Sequence, residues 1–325
     1  MSTGNAPEEP PTLKIRIAVL MLLACTACGA QSLTPESAGE STQPTQSVAL
    51  DQAPADDKAA AVINAITPDP ALTARLPAGI KTGGLKMTSS LGYPPMDMFG
   101  SDGKTPVGLD PSLGRAIARK LGVKLAITDE DFNSQIPGII TGRYDIMMSS
   151  LSDTAERQTK VTFVDYVQAG AGMLIKKGNP DGINAPADLC GKTVSVVDNG
   201  SSLKLATTYD ADCRKNGEKG LDIIKFPGDQ EALLQVNNGR AQANITDYVV
   251  AAYKAADLDT KVEALAIDGT ESPWGIAMKP ENKELIGAVQ GALDALIKSG
   301  EYGKILQAWD LDKLAVQSAV INGGK

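Results

Sequence analysis

The stretch from residue 142 to residue 157 is the sequence feature that most constrains what this chain can fold into. A predicted helix ends at its start, and the apolar run 146–148 is typical of a strand buried in a parallel sheet. Serines follow that strand directly. Arg157 lies in the first turn of the next predicted helix, where Asp153 and Glu156 would form a capping box. Because ligands of open α/β sheets bind at the carboxyl ends of strands, the stretch predicts a site for a carboxylate.

Each of these residues also has an ordinary explanation. Serines after a strand are usually turn residues, and an arginine in a first helical turn is usually solvated. The combination is more specific than its members, because hydroxyls, backbone N–H groups and a guanidinium would converge at one strand end.

Composition excludes several classes of function. The 325 residues give room for about two domains and carry a formal net charge of −8. Such an acidic chain is not expected to bind nucleic acid or an anionic membrane surface. The sequence contains no histidine, which excludes histidine general acid–base catalysis, Ser-His triads and histidine metal sites.

The N-terminal region predicts export. Two basic residues precede an apolar run, 17–24, that is too short to span a bilayer and ends in small residues before a cysteine. This pattern resembles a lipoprotein signal, in which an acylated cysteine becomes the mature N-terminus. We predict a signal peptide over residues 1–28 with lipidation at Cys28, and Cys25 as the competing position. An ordinary secretory signal with incidental cysteines is the alternative.

Residues 29–75 are rich in Ser, Thr, Pro, Gln, Ala and Asp. Such a segment buries little apolar area, so we predict a flexible tether that holds a folded body off the membrane. The folded body is predicted to begin at residue 76.

The folded body predicts two copies of one β-α-β-α-β unit. The stretches 141–150 and 238–247 align, since each has a helix end, a Gly-Arg pair, a strand and a polar tip. Ser150 and Asp247 are then equivalent strand tips in two lobes, and two such lobes facing each other would form a cleft. Strands are predicted at 84–89, 125–127, 146–148, 192–197, 222–226 and 241–245, and helices are predicted to be capped by Asp110, Asp153, Asp229 and Asp247.

The Gly-Ala-Gly sequence at 170–172 separates the copies and is a candidate hinge. The chain returns through residues 272–278. We therefore predict that residues 76–170 and 272–325 form lobe 1, that residues 171–271 form lobe 2, and that two strands join them.

Two cysteines lie in the predicted second lobe. Because an exported protein is where a disulfide persists, we predict a bond between Cys190 and Cys213, with free thiols as the alternative. Their spacing fits none of the common metal motifs, and no metal site is predicted.

The motifs together resemble a known family. Ser-Ser-Leu-Ser-x-Thr-x-x-Arg at 149–157, followed by Val-Thr-Phe-Val-Asp-Tyr at 161–166, is similar to the signature of the polar-amino-acid family of extracellular solute-binding proteins. Tyr-Pro-Pro at 93–95 and Gly-Glu-Tyr-Gly-Lys-Ile at 300–305 support it. The resemblance covers residues 80–312. It implies an α/β, two-lobed periplasmic-binding-protein type II fold, each lobe a mostly parallel sheet flanked by helices.

The resemblance also implies a ligand site. Arg157 would bind the ligand α-carboxylate, helped by the Ser152 backbone and by Ser202. Asp247 would pair with the α-ammonium, together with Ser150. The other implied contacts are Tyr93 and Phe132 over the aliphatic stem, Met96 in the same wall, and Ser149 with Ser90 or Ser89 near the ligand side chain.

Ser90 stands where binders of basic amino acids in this family carry an acid. The sequence therefore disfavours lysine, arginine and histidine as ligands.

The function that the resemblance implies is capture of a free polar amino acid for the permease subunits of an ABC importer. The protein would be an exported monomer, lipid-anchored at the outer face of the cytoplasmic membrane, with no cofactor and no catalytic residue. Two alternatives come from the same fold. A dehydratase acting on prephenate-like acids would need Asp247 or a neighbouring carboxylate as its acid or base. A receptor sensor domain would continue into a transmembrane segment, which we do not expect here.

Overall fold

The computed structural model describes residues 50–256 and 261–325. Contact density separates the chain into two units, residues 1–46 and 47–325, and everything described below belongs to the second. The predicted signal peptide and both candidate acylation cysteines lie outside the described residues. No helix within the described ranges is long and apolar enough to cross a membrane.

Strands and helices alternate through most of the described chain. The strands are β1 (Leu85–Ser89), β2 (Met98–Phe99), β3 (Pro106–Val107), β4 (Leu125–Asp129), β5 (Ile146–Met147), β6 (Thr162–Ala169), β7 (Ala171–Lys176), β8 (Thr193–Val197), β9 (Asp222–Phe226), β10 (Ala243–Asp247), β11 (Val262–Ala266) and β12 (Ser272–Met278). The helices are α1 (Ala60–Ala65), α2 (Pro70–Arg75), α3 (Ala78–Gly83), α4 (Leu109–Lys120), α5 (Phe132–Ile140), α6 (Ala155–Gln158), α7 (Ser201–Lys215), α8 (Asp229–Asn237), α9 (Tyr248–Ala255), α10 (Lys283–Ser299) and α11 (Glu301–Ala308).

Two five-stranded sheets form the two lobes. Lobe 1 has the strand order β4-β1-β5-β12-β6, and lobe 2 has the order β9-β8-β10-β7-β11. In each sheet three neighbouring strands are parallel and the fourth runs antiparallel to the third. The sheets are therefore mixed, and four of the five strands in each sheet run in the same direction. The strands correspond one to one, with β5 and β10 as the equivalent central strands, which agrees with the architectural repeat expected from the sequence.

The chain passes between the lobes twice. Gly170 alone separates β6 of lobe 1 from β7 of lobe 2, and residues 267–271 connect β11 back to β12. The two passages are bonded to each other, because the Ala171 N–H donates to Thr270 Oγ1 at 2.8 Å. The two-lobed α/β architecture predicted from the sequence is thus present.

Three of the four predicted aspartate caps are wrong. The N-cap residues of α4, α6 and α8 are Gly108, Thr154 and Gly228. Asp247 holds the N-cap position of α9 but makes no capping bond with its side chain. The four aspartates predicted as caps instead use their side chains for tertiary contacts, because their carboxylates face the interior or the cleft; these residues are Asp110, Asp153, Asp229 and Asp247.

The predicted flexible tether does not extend to residue 75. From residue 50 onward the chain packs on lobe 1, and Ile63 and Leu72, on α1 and α2, belong to its apolar core. Asp57 is buried and pairs with Arg115 of α4 at 3.1 Å. The low hydrophobicity of this segment is misleading, because a few apolar residues and one buried ion pair are enough to dock it on a larger core.

Cys190 and Cys213 form a disulfide, with their Cα atoms 5.6 Å apart. The bond joins the segment before β8 to the last turn of α7, inside the apolar cluster of lobe 2.

Candidate functional site

A cavity of about 330 Å³ lies between the two lobes. This volume falls at the lower end of the range for small-molecule sites. Lobe 1 lines the cavity with the turn after β1, the start of α5, the end of β5 and α6, while lobe 2 contributes the starts of α7 and α8 and the tip of β10. Eight of the ten residues predicted to bind ligand line it: Ser90, Tyr93, Phe132, Ser149, Ser150, Arg157, Ser202 and Asp247.

Arg157 is the basic residue among those that line the cavity. Its Nη1 donates to the Ser152 carbonyl at 2.9 Å and its Nη2 to the Asn199 carbonyl of lobe 2 at 3.0 Å. The guanidinium carbon lies 5.9 Å from the centre of the Phe132 ring. Burial lowers the pKa of this arginine, while the negative charges of Glu156 and Asp247 oppose that shift. A partly buried guanidinium held this way is placed to attract an anionic group into the cavity.

Asp247 faces the cavity from lobe 2. Its Oδ2 accepts a hydrogen bond of 2.6 Å from the Tyr93 hydroxyl of lobe 1. Burial raises the pKa of Asp247 to about 7, the charge of Asp229 adds to this shift, and the Tyr93 bond and Arg157 oppose it. A carboxyl group with this pKa can bind a cation as the anion or hold a proton when no cation is present.

A polar chain continues from Asp247 into lobe 2. The Thr246 hydroxyl donates to Asp229 Oδ1 at 2.9 Å, and its oxygen lies 3.0 Å from the Tyr93 hydroxyl. Asp229 also forms an ion pair with Lys254 of α9. A chain of polar contacts therefore runs from the buried Asp229–Lys254 ion pair through Thr246 to Tyr93.

The serine cluster after β5 is held by groups behind it. Ser150 has a left-handed backbone, φ 49°, and its N–H donates to Asp110 Oδ2 at 2.7 Å. Tyr166 donates to the other oxygen of Asp110 at 2.6 Å. Ser149 Oγ accepts from the Ser90 N–H at 3.0 Å. Asp110 is thus a support for the ligand-facing turn, which its predicted role as a helix cap did not anticipate.

Two predicted ligand contacts do not line the cavity. Met96 is fully buried in the core of lobe 1. The turn in which Tyr93 pairs with Asp97 directs the Tyr93 side chain to the cavity and the Met96 side chain to the core. Ser152 is also buried, in a bridge with Trp274 of β12. Its carbonyl accepts from Arg157, so it supports the arginine without reaching the cavity. The predicted ligand contact is therefore wrong for Met96. The backbone of Ser152 contacts Arg157 instead of the cavity.

The lobes contact each other across the cleft. Besides the bonds of Tyr93 with Asp247 and of Arg157 with the Asn199 carbonyl, the Asn199 side-chain amide donates to Asn133 Oδ1 at 3.0 Å. The structure therefore shows the lobes brought together around the cavity.

Sequence reasoning missed most of the acidic lining. Six carboxylates line the cavity against the single guanidinium of Arg157. Two are neutralised within the described chain, Glu130 by Arg143 and Asp229 by Lys254. The carboxylates that form no ion pair with a described residue are Asp129, Asp131, Glu231 and Asp247. Apart from Asp247, they come from the end of β4, the segment after it and the start of α8, which carry no distinctive motif.

Comparison with known proteins places this architecture and these motifs in a family. Residues 85–312 match the profile of the bacterial extracellular solute-binding proteins, family 3. The chain belongs to this family. The match spans both lobes and contains every residue placed in the cavity above. The membership predicted from the 149–157 signature is confirmed.

Relatives of this family 3 protein bind amino acids according to their names. The arginine-binding protein ArgT of Corynebacterium glutamicum is 28% identical over 79% of this chain and 85% of its own. An ancestral arginine-binding protein, solved with arginine bound, is 32% identical with a TM-score of 0.64, over 69% of this chain and 97% of its own.

A third relative is relevant to the alternative that the protein is a dehydratase. The ancestral amino acid-binding protein AncCDT-1, a precursor of cyclohexadienyl dehydratase, is 32% identical with a TM-score of 0.64, over 71% of this chain and 97% of its own. These structural neighbours confirm the type II periplasmic-binding-protein fold for this chain.

Proposed function

We propose that this protein captures a free polar α-amino acid outside the cell and delivers it to the permease of an ABC importer. The observation that carries the proposal is the pairing across the cavity. A guanidinium, Arg157, faces it from lobe 1, and a carboxyl group, Asp247, faces it from lobe 2. An α-amino acid carries the complementary carboxylate and ammonium on one carbon, so a single ligand can bridge both lobes.

Bridging explains capture without any chemical step. A ligand that contacts both lobes binds the closed arrangement better than the open one, so it shifts the population toward closure. The bonds of Arg157 and Asp247 across the cleft show that the closed arrangement is compatible with the chain itself. We therefore propose a binding protein, with no bond made or broken in the cleft.

The charges of the cavity favour a neutral or cationic ligand side chain. Asp129, Asp131 and Glu231 line it without an ion-pair partner among the described residues. An aspartate or glutamate ligand would add a further negative charge beside them, which is unfavourable. The sequence disfavoured basic ligands because of Ser90, but these carboxylates supply acids from other elements. Basic and uncharged polar amino acids are therefore the ligand class that we propose.

We further propose that the mature protein is a monomer, exported and acylated at Cys28, or at Cys25. The supports are the signal-like sequence and the extracellular character of the family. The acylated N-terminus would keep the captured amino acid close to the permease.

A thermal-shift panel of the soluble body against the standard amino acids tests the proposal. A ligand at about 100 times its dissociation constant adds roughly 2.7 kcal/mol, which is several degrees for a body of this size. We expect a selective rise with basic or uncharged polar amino acids. Absence of a rise with every amino acid contradicts the proposed ligand class.

The matched pair Arg157→Ala and Arg240→Ala tests the carboxylate site. Arg240 is exposed, and its side chain makes no bond with a described residue, so its removal controls for loss of a surface arginine. We expect Arg157→Ala to abolish the ligand-induced shift while the ligand-free melting temperature stays within a few degrees. Retained affinity in Arg157→Ala would show that the carboxylate is bound elsewhere.

A further inference from the structure

A short segment near residue 325 forms a strap along the edge of lobe 1. We define the C-terminal strap as residues 319–324, which lie beyond the part of the chain that matches the family. The Asp165 N–H donates to the Val320 carbonyl at 2.8 Å, Ile321 pairs with Val164, and Asn322 Oδ1 accepts from the Phe163 N–H at 2.8 Å. The strap thus covers β6, the edge strand of the lobe 1 sheet.

The strap then turns toward the segment that carries the site. Asn322 has a left-handed backbone, φ 51°, and the next two N–H groups each bind a carboxylate. The Gly323 N–H donates to Asp165 Oδ2 at 3.0 Å and the Gly324 N–H to Asp153 Oδ2 at 2.9 Å. A Cβ on residue 324 would overlap the Asp153 carbonyl, so this approach requires glycine.

Gln158 joins the strap to the helix of Arg157. Its side-chain amide donates to the Gly324 carbonyl at 3.0 Å and to Asp153 Oδ1 at 2.8 Å. Helix α6 has four residues, far fewer than a helix needs to be stable alone. Its geometry must therefore come from contacts outside it, and the strap supplies them on the residue next to Arg157.

The two carboxylates under the strap form a pair. Asp153 and Asp165 are 1% and 3% exposed, and Asp165 Oδ1 accepts no bond from a described residue. Burial, with the nearby charge of Asp153, raises the pKa of Asp165 to about 7. The titratable group that faces Asp165 is Asp153; β12 presents Gly275 and the strap presents the Gly323 N–H. A proton on Asp165 relieves the repulsion between the two carboxylates.

We propose that the C-terminal strap is a positioning element for Arg157: through Gly324, Asp153 and Gln158 it holds α6 so that the guanidinium faces the cavity. This inference rests on one part of the proposed function, namely that Arg157 binds the ligand carboxylate. Among the described residues, the strap forms no hydrogen bond with a residue that lines the cavity, so its proposed effect on binding is indirect.

Hydrogen–deuterium exchange of the ligand-free protein tests the structural half. The variants are Gly324→Ala, which displaces the strap, and Gln158→Ala, which leaves the strap in place and cuts its link to α6. The control is Gln317→Ala, an exposed residue just before the strap. We expect at least tenfold faster exchange across residues 154–161 in both variants, with β8 of lobe 2 unchanged. Unchanged exchange at 154–161 in Gln158→Ala overturns the proposal, even if Gly324→Ala fails to fold.

Affinities for L-arginine and L-argininamide test the functional half. The amide lacks the carboxylate that Arg157 would bind, so a loose Arg157 should weaken L-arginine binding about tenfold and L-argininamide binding much less. Equal losses for both probes, or no loss despite faster exchange, overturn the positioning role. If the wild-type protein binds neither probe nor any other amino acid, the proposed function fails, while the exchange experiment still decides whether the strap holds α6.

Discussion

Amino acid binding should release a proton from Asp247. The carboxyl group of Asp247 accepts a hydrogen bond of 2.6 Å from the Tyr93 hydroxyl, which favours the anion, but burial and the nearby charge of Asp229 outweigh this bond and raise the pKa of Asp247 to about 7. A large fraction of the ligand-free protein therefore carries a proton on Asp247 at and below neutral pH. A ligand ammonium favours the anion, so binding expels the proton.

The size of the effect follows from this pKa. Below pH 7 the ionised fraction of Asp247 falls tenfold per pH unit, so the apparent dissociation constant rises tenfold per unit, or about 1.4 kcal/mol. At pH 5 affinity should be about 100-fold weaker than on the plateau above pH 8. The charged and titratable groups that face Asp247 are Tyr93 and Arg157 of lobe 1 and Asp229 of lobe 2. The carboxylate and ammonium of the ligand do not titrate between about pH 5 and 8, so they do not produce this profile.

Isothermal titration calorimetry measures the released proton directly. Titrations with L-arginine, or with the amino acid that gives the largest thermal shift, are run at pH 6 in two buffers of different ionisation enthalpy. The slope of the observed enthalpy against buffer enthalpy should correspond to about 0.9 proton released per ligand. The same titration at pH 8 should give about 0.1.

Titrations of the variants Asp247→Asn and Asp212→Asn separate the effect of this site from the general effect of removing one negative charge. Asp212 is an exposed carboxylate on α7, and its variant should keep the wild-type slope. Asp247→Asn should bind weakly, without proton release and without the pH profile. A pH-independent wild-type affinity with no proton released at pH 6 would refute the reasoning.

Three further predictions concern stability and processing. Reducing the Cys190–Cys213 disulfide, or replacing both cysteines by serine, should cost roughly 3 kcal/mol of unfolding free energy, measured by urea denaturation, because the bond closes a loop of 23 residues. The raised pKa of Asp165 means that native stability falls as pH rises from about 4 to 7, so Asp165→Asn should raise the melting temperature at pH 8 and change it little near pH 4. Mass spectrometry of the mature protein should find an acylated Cys28 or Cys25, and an unmodified N-terminus contradicts the anchor.

The fold was predictable where periodicity and end signals agree. Strands β1, β8 and β9 lie close to their predicted bounds, because each has an apolar run flanked by glycine or a turn. The segment 50–75 was not predictable by the same rules. Its apolar residues are few, and docking depends on surfaces that the rest of lobe 1 supplies: Arg115 and Arg119 of α4 bond to the segment, and α2 packs on α10.

The predicted site residues that face the cavity lie at or after the end of a strand. Ser150 and Asp247 end equivalent central strands, and the turn of Tyr93 and the helix of Arg157 each follow a strand of the lobe 1 sheet. Strand ends can be located from sequence, so the side chains that follow them can be located too. The prediction for Met96 was wrong because a single tight turn decides whether a side chain enters the cleft or the core. The sequence pattern is the same in both cases.

The hydrogen bonds of Tyr93 show what the two-lobed arrangement adds beyond its parts. The sequence predicted Asp229 only as a helix cap in lobe 2, and Tyr93 only as a cover over the ligand's aliphatic stem in lobe 1. They belong to one hydrogen-bonded chain only because the lobes meet. Opening the cleft breaks the chain at Tyr93 and exposes Asp247 to water, which should lower its pKa toward that of an ordinary aspartate. Proton release and lobe closure are therefore coupled through Tyr93, and ligand affinity at low pH depends on how far the ligand-free protein is already closed.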